Sequence, residues 1–428
     1  MSRTPLFATV RKALRLASRD CVVARPRASA LTRRRLLRLS AAAAGAAALS
    51  PVLNWNTYAK EERPKGPVAI IGGGVAGLTA AYRLQAAGAA PIVFEASNRW
   101  GGRMFTHYDF YKGMFCELGG AFVDTNHEDL QKLASELGVE LQTLAAEGDG
   151  EDLYFFGGAF HTPKEMLDPE KQTGAQPFQM FGESDEVFRI KGGSSALINA
   201  DTKDGKIVAG FNAPGGASSE SFDTMVLALP FTKLRQVEGL ERLELGDEKL
   251  KCIRELGYGQ SAKIMQGTAS RVWRSPAARL AGPSNGIFYS DLGFQYLWDS
   301  SRGQPGEAGI ITNFLGVKPG LGDAKSALDA FHADLPKMSP KMAESLDPSA
   351  VVSWFWSVYP YTLGSYASAK PGQYTTFLEV APEPALDGRL QFAGEHTSAD
   401  FLGFMNGGVE SGNRAATALI ETMALEKD

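Results

Sequence analysis

Four apolar residues, Val68-Ala69-Ile70-Ile71, run directly into Gly72-Gly73-Gly74-Val75-Ala76-Gly77, and nothing else in the chain constrains its fold as strongly. An all-apolar run this short suits a strand buried on both faces of a parallel sheet. Gly72, Gly74 and Gly77 stand at G-x-G-x-x-G spacing. The first glycine allows a tight turn, the second lets backbone approach a pyrophosphate, and the third lets helix and strand pack closely. Small and apolar residues at helical spacing over 75–84 predict a helix, and Gly88 suits its stop. Its first turn, with Val75 and Ala76, would bring the positive end of the helix dipole to the phosphates. A second strand, Pro91-Ile92-Val93-Phe94, leads to Glu95, about 20 residues past the glycines, where a carboxylate meets ribose hydroxyls. A lone glycine pattern is weak and can be an ordinary turn. Strand, glycines, helix, strand and acid in this order read as a dinucleotide site.

Glu95-Ala96-Ser97-Asn98-Arg99-Trp100-Gly101-Gly102-Arg103 follows. Two glycines bracketed by arginines suit a loop against phosphate, with a guanidinium as charge partner. In isolation the same residues would be a solvated loop. Near the far end, Phe392-Ala393-Gly394-Glu395-His396-Thr397 and Gly403-Phe404-Met405-Asn406-Gly407-Gly408 look like a closing segment that returns to the same cofactor.

With these segments, the chain resembles the flavin-containing amine oxidases, the family of monoamine, polyamine and L-amino-acid oxidases. Further matching stretches are Glu117-Leu118-Gly119-Gly120-Ala121-Phe122, Lys191-Gly192-Gly193-Ser194, Ser261-Ala262-Lys263-Ile264, residues 354–366 and residues 394–412. The arginine loop directly after Glu95 separates this family from nicotinamide dehydrogenases. The resemblance runs with gaps from about residue 67 to residue 418 and implies an α/β fold. A Rossmann-like FAD-binding domain would carry an inserted mixed-sheet substrate domain. The FAD domain would be discontinuous, over 64–125, 185–235 and 378–428, and the substrate domain would take 126–184 and 240–377. Between residues 163 and 183 about 20 Pro/Gly/Gln-containing residues stand where the family has a mostly helical insert. Between 200 and 206 only a short polar stretch stands where it has a helix and a strand. The helical part of the substrate domain is therefore shortened, and cavity closure and cofactor affinity are open to test.

Several more strands and helices are legible. Residues 222–230 form an apolar strand ended by a proline, and 408–423 read as a closing helix. Residues 288–298 and 309–315 read as strands separated by turn residues at 299–306, 324–335 as an amphipathic helix, and 351–358 as an aromatic-rich strand.

Charge is distributed unevenly. The chain holds 44 Lys/Arg and 48 Asp/Glu, but the first 60 residues hold twelve Lys/Arg and one acid, Asp20. There, Thr32-Arg33-Arg34-Arg35-Leu36-Leu37-Arg38 precedes an Ala-rich apolar stretch ending near Ser50. Basic, apolar and small residues in that order form a secretion signal, and the paired arginines resemble the twin-arginine type that exports folded proteins. That points to the periplasm or the exterior and to the export machinery for folded proteins as a partner. A mitochondrial-type presequence has the same composition and remains the alternative. The apolar stretch is too short for a stable membrane span. Past residue 60 there remain 32 basic and 47 acidic residues, a net −15. That balance does not favour nucleic acid, and it weakly favours cationic substrates or serves solubility alone. Three cysteines (Cys21, Cys116, Cys252) and five scattered histidines give no disulfide framework and no metal spacing, so no metal is expected.

The resemblance carries roles to particular residues. Cofactor contacts fall on Gly72, Gly74, Val75, Ala76, Gly77, Glu95, Ala96, Arg103, Gly119, Gly120, Ala121, Phe122, Glu395, Phe404, Met405 and Asn406. Lys263 matches the lysine that holds a water against the flavin. Tyr366 and Phe404 match two aromatic residues that face each other across it and align an amine. Against these stand plainer readings: an exposed strand lysine, core aromatics, a helix cap. Family members with covalent flavin carry a cysteine at the position of Ser365, so FAD is expected to be non-covalent. The implied activity is oxidation of a small-molecule amine to an imine, with oxygen reduced to hydrogen peroxide. Ala121 and Phe122 stand where amino-acid oxidases often place an arginine, which favours a plain amine. An L-amino-acid oxidase and a weakly active or non-catalytic flavoprotein are the alternatives, and oligomeric state is not legible.

Overall fold

The computed structural model describes residues 67–144, 150–167, 188–190, 222–237, 240–243, 245–275, 280, 284–316 and 324–423. The leader, Lys191-Gly192-Gly193-Ser194, the short stretch at 200–206 and most of 163–183 lie outside them. Two sheets organise what is described. The first has four parallel strands in the order β15-β9-β1-β2: β1 Val68–Ile71, β2 Pro91–Phe94, β9 Thr224–Leu227 and β15 Leu390–Phe392. Its strands come from three separated stretches of chain. Apolar side chains pack on both of its sides, which explains why β1 and β2 are uninterrupted apolar runs and β9 and β15 are nearly so, with Thr224 and Gln391 the exceptions. On one side, Val68, Ile70 and Val226 pack with Ala76, Ala80 and Leu84 of helix α1, Val75–Ala86. They also meet Ala415, Leu419 and Ile420 of the closing helix. On the other, Leu227, Phe231, Phe377 and Phe392 pack with Cys252 and Ile253. Burying a side chain of this size contributes about 1.5–3 kcal/mol.

Helix α2, Glu128–Glu136, sets Leu130 and Leu133 against Val409, on the closing helix behind the first sheet. The hairpin β3 Thr106–Tyr111 and β4 Met114–Glu117 packs Met114 and Cys116 on Met265 and Ile310 of the second sheet, and β5 Leu141–Thr143 pairs antiparallel with β8 Phe188–Ile190.

The second sheet has seven strands in the order β14-β10-β13-β12-β11-β6-β7. They are β6 Glu151–Phe156, β7 Ala159–His161, β10 Ala262–Thr268, β11 Ser284–Ser290, β12 Tyr296–Asp299, β13 Gly309–Leu315 and β14 Leu346–Phe355. Only the β6–β11 pair is parallel. One face carries Leu153, Phe155, Phe288, Leu297 and Ile311 against Phe331 and Leu335 of helix α3, Ala324–Met338. The stretch 288–298, read from sequence as one strand, is two strands joined by a reversal. Ser290 and Asp334 stabilise it: Leu292 N–H donates to Ser290 Oγ at 3.3 Å and Gly293 N–H to Asp334 Oδ2 at 2.8 Å. That reversal lets Tyr296 return opposite Tyr289. The closing helix, α4, covers Met405–Met423, starting three residues before the expected Gly408. Among the described residues no helix is long and apolar enough to cross a membrane.

Candidate active site

The glycine turn has the geometry its spacing demands. Gly72 adopts φ +113°, a conformation that side chains resist, and a Cβ there would come 2.7 Å from the Ala228 carbonyl oxygen. A Cβ on Gly77 would sit 2.0 Å from the Gly72 carbonyl oxygen, so helix and strand can touch only through glycine. A Cβ on Gly74 would meet nothing nearer than the Gly102 Cα at 4.0 Å, so the backbone at this point is bare. Glu95 accepts the Gly73 and Ser97 N–H groups, each at 2.8 Å, with Ala96 between them in the bend. The arginine loop docks on the glycines through Gly101 N–H to the Gly73 carbonyl, 2.8 Å. Arg99 is spent inside this loop, donating to the carbonyls of Trp100 and Met104 at 3.2 and 3.3 Å and lying 3.8 Å over the Phe105 ring. Burial pulls its pKa down.

Helix α4 approaches the same turn. A Cβ on Gly408 would come 2.6 Å from Val75 Cγ1, and one on Gly412 would come 2.5 Å from the Ala76 carbonyl oxygen. The first turns of α1 and α4 are therefore held side by side by small residues. Each helix start leaves backbone N–H groups without intrahelical partners and carries positive partial charge. Asn406, wholly buried, accepts Leu130 N–H on Oδ1 at 2.8 Å, while its Nδ2 finds no acceptor among the protein atoms. Bare glycine backbone, paired helix starts and an orphaned buried donor fit an extended, anionic, acceptor-rich cofactor such as FAD.

Glu395 ties the closing segment together. It is 7% exposed and bonds Arg103 Nη1 at 2.6 Å, Ala367 N–H at 3.1 Å and Gly403 N–H at 2.7 Å. Arg103 also donates to the Ser365 carbonyl at 3.1 Å. One carboxylate thus fixes the residue after Tyr366 and the residue before Phe404. The Tyr366 hydroxyl accepts from Ser261 Oγ at 3.2 Å, and Ser365 Oγ accepts Ser261 N–H at 3.1 Å. Phe404 packs edge-on against buried His127, ring centres 5.1 Å apart. Both described cysteines are buried, which pushes their thiols up, Cys252 to about 11.

Lys263 is the second residue of β10 and 6% exposed. Its Nζ donates to the carbonyls of Glu117 and Gly119, at 3.1 and 2.5 Å, and lies 5.1 Å over the Trp298 ring. Trp356 Nε1, just past the end of β14, donates to the Leu118 carbonyl at 3.0 Å, so three successive carbonyls of the Glu117–Phe122 loop, those of Glu117, Leu118 and Gly119, are fixed by Lys263 and Trp356. The same loop is pinned to the cofactor end: Gly120 N–H donates to the Arg103 carbonyl at 3.1 Å, and a Cβ on Gly120 would come 2.5 Å from Met405 Sδ. Ala121 follows, and Phe122 meets Trp298 edge to face at 5.5 Å. This loop brings the two sheets' candidate residues together.

Lys263 also belongs to a row that sequence reading missed. By register, Tyr154 pairs with Tyr289, Tyr289 with Tyr296, Tyr296 with Phe314, Phe314 with Lys263, and Lys263 with Trp354. Six strands thus present one line of aromatic side chains, broken only by the lysine, on the face opposite the α3 core. Period-two spacing was visible inside β12, as Tyr296 and Trp298, and inside β6, as Asp152 and Tyr154. Register between distant strands was not.

A family model described as flavin containing amine oxidoreductase matches residues 75–206 and 202–420. The Bacillus subtilis protein YobN is 30% identical over 204 residues, 46% of this chain and 41% of that protein. An L-amino-acid oxidase of Siganus canaliculatus is 22% identical over 456 residues, covering 82% of this chain and 84% of that protein. Among solved structures, cyclohexylamine oxidase from Brevibacterium oxydans superposes with TM-score 0.69 at 19% identity, over 84% of this chain and 99% of that one. A putrescine oxidase bound to putrescine gives 0.65 at 17% identity, over 83% and 99%.

Proposed function

The chain belongs to the flavin-containing amine oxidoreductases, and on that premise we propose that it oxidises a plain amine to an imine with non-covalent FAD, oxygen being the acceptor. It is a flavin-dependent amine oxidase by family. Bound FAD would supply the redox chemistry, accepting a hydride from the carbon that bears the nitrogen and giving its electrons to oxygen, with hydrogen peroxide as product. The chain's residues supply orientation and electrostatics. Lys263 is the proton-handling group at the substrate end. A lysine held among aromatic rings by backbone carbonyls is placed to fix a water and relay a proton. Tyr366 and Phe404, on segments clamped by Glu395, align the amine and keep water out. Met405 and Asn406, at the start of α4, offer donors and positive dipole to negative charge that develops on the cofactor. Ser365 offers no thiolate for a covalent bond.

The observation that carries the amine reading is the setting of Lys263, between Phe314 and Trp354 in register and under Trp298. Among the described residues no guanidinium belongs to that row. Arg99, near the Trp354 end through Phe105, is bound to the carbonyls of Trp100 and Met104, Arg271, past the far end of β10, to those of Ala308 and Gln304, and Arg302 to that of Leu144. Among the described residues a substrate carboxylate finds no bidentate partner there. Names of relatives divide between amino-acid and amine oxidases, so the experiment must separate them. FAD-loaded protein is mixed anaerobically with primary and secondary amines and with L-amino acids, and bleaching of the flavin bands is followed. Bleaching by amines supports the reading. Bleaching by L-amino acids alone replaces it with an L-amino-acid oxidase, and bound flavin reduced by neither marks a non-catalytic flavoprotein. Acid precipitation should release the flavin into solution. The leader is proposed to send the folded protein to the periplasm or beyond through the twin-arginine route. Fractionation of cells carrying Arg33→Lys and Arg34→Lys checks it, and unchanged export counts against it.

A further inference from the structure

One stretch of chain, residues 117–130, touches Lys263 and then the first turn of α4. Its Glu117 and Gly119 carbonyls accept from Lys263, a Cβ on Gly120 would meet Met405, and Leu130 N–H donates to Asn406. Between these points lies His127, 1% exposed, the residue before helix α2. The function proposed above gives it no role. Helix capping does not account for it either. Its side chain makes no capping bond, and the Leu130 N–H that a cap would satisfy goes to Asn406 instead.

Two kinds of contact surround the imidazole. Asp124 N–H donates to Nδ1 at 2.9 Å. Nδ1 must therefore offer its lone pair, and the neutral ring carries its proton on Nε2. Nε2 faces Asp124 Oδ2 at 3.5 Å. Asp124 is itself 2% exposed, and its carbonyl accepts from Gln131 Nε2 at 2.8 Å. A half-turn of the ring would take the Nδ1 acceptor away from the Asp124 N–H, so the ring is locked on this side. On the other it meets Phe401 and Phe404 edge to face, with centres 5.6 and 5.1 Å away and planes at 80° and 64°. That is a preferred, directional geometry for aromatic pairs.

Both phenylalanines lie on one turn. Phe404 N–H donates to the Phe401 carbonyl at 3.1 Å, Phe401 N–H to Ser398 Oγ at 3.0 Å, and Gly403 N–H to Glu395 Oε2 at 2.7 Å. These bonds place the Phe404 backbone but not its ring. His127 bears on the ring itself.

Resting on the reading of Phe404 as a wall against the amine, we propose that His127 is a positioning residue for amine oxidation. Locked by Asp124, it holds the Phe404 ring at the angle that aligns the amine. It acts through Phe404 and moves no proton.

Two substitutions separate the ring from its anchor. His127→Gln offers the Asp124 N–H an acceptor but removes the ring. His127→Phe keeps a ring and removes the acceptor. Both are compared with wild type as the FAD-loaded full chain, on an amine that bleaches wild-type flavin. The amine dependence of anaerobic bleaching gives a limiting rate and an apparent Kd. Flavin content, melting temperature and the visible circular dichroism of the bound flavin are read beside them.

His127→Gln should keep its flavin, alter the flavin dichroism and lower the ratio of limiting rate to Kd by about tenfold, the cost of a misaligned substrate. His127→Phe should recover most of that ratio while melting about 2–4 °C lower, because the Asp124 N–H loses its acceptor. In a Phe404→Ala background His127→Gln should change the ratio by less than about twofold, since the ring it acts through is gone. An equal fall in that background makes His127 structural and overturns the proposal, as do losses in both variants that track melting temperature. Loss of flavin from His127→Gln would assign the residue to the cofactor's cradle and overturn it too. None of these outcomes touches amine oxidation. Flavin that no amine bleaches, even in wild type, overturns both readings.

Discussion

The two sheets carry their chemistry in opposite ways. At the parallel sheet most of the proposed cofactor cradle is local in sequence: β1, the glycine turn, α1, β2, Glu95 and the arginine loop lie within residues 68–103, and only the 119–122 and 395–406 segments join from elsewhere. At the seven-stranded sheet the candidate substrate face is a line drawn across six strands, from Tyr154 to Trp354. The first is local geometry, where a glycine is needed because a particular backbone atom lies close by. The second is register, where a side chain matters because of what a distant strand places opposite it. Damage to the first should therefore cost the cofactor and the fold together, and damage to the second should cost chemistry or specificity while the cofactor stays.

The largest effect should come from Gly77→Val. Its Cβ would be 2.0 Å from the Gly72 carbonyl oxygen, a backbone atom that cannot rotate away. Overpacking of this kind destabilises by roughly 3 kcal/mol or more, and the turn must open to relieve it. We expect flavin content below about a tenth of wild type and a melting temperature lower by roughly 5–10 °C. Normal flavin retention would mean that the turn is not the cofactor's cradle, and the contrast between the two sheets would collapse.

Lys263→Met should do the reverse. Flavin reduction by substrate, its reoxidation by oxygen, or both should slow by about 100-fold, the scale of a lost proton-transfer group. Flavin content should remain that of wild type, because the glycine turn, Glu95 and the Arg103–Glu395 pair are untouched. Some stability is lost as well, about 1–3 kcal/mol, because the buried carbonyls of Glu117 and Gly119 lose a donor. Lys263→Arg should recover that stability better than the rate. Stopped-flow traces of both half-reactions, read beside flavin content, separate these outcomes. Wild-type rates would remove Lys263 from the chemistry, and flavin loss equal to that of Gly77→Val would make it a structural residue.

The same contrast explains what could be read from sequence. The apolar runs of β1 and β9, the glycine turn, α1 and the closing helix were all legible, because a strand buried on both faces and a small-residue helix announce themselves locally. Lys263 was legible only through its family motif. Nothing around Ser261-Ala262-Lys263 says that Phe314 and Trp354 flank it. The tyrosine row was hidden for a specific reason: residues 288–298 read as one strand, yet they reverse at 291–295 and pair with themselves. A single long strand would send Tyr289 and Tyr296 to opposite faces, whereas the hairpin stacks them. Glu395 illustrates a milder gap. Its place near the cofactor was read, but its hold on the segments of both Tyr366 and Phe404 needed coordinates.

The smallest effect asks whether the cofactor half also carries an acid sensitivity of its own. His396 follows Glu395, is 1% exposed and packs against the Phe231 ring at 4.4 Å. Neither of its ring nitrogens has a hydrogen-bond partner among the protein atoms. Burial, then the charges of Arg103, Lys249 and Arg414, hold its pKa well below 6.5. The unfolded chain takes up this proton near pH 6.5, and the folded chain does not. Between the folded pKa and 6.5 the unfolded state therefore binds more protons, and stability falls as pH falls. The loss is about 1.4 kcal/mol for each pH unit well below 6.5, and above that pH the group contributes no slope. Other groups titrate in the same range, so the useful quantity is the difference between wild type and His396→Phe. That difference should be constant from pH 8 to 7, then shift steadily in favour of the variant from about pH 6 to 5. Urea midpoints followed by flavin release at each pH measure it, since release reports the half that holds His396. A difference that stays flat down to pH 5 would mean that His396 takes up its proton in the folded protein, and the cofactor half would then have no acid trigger at this position.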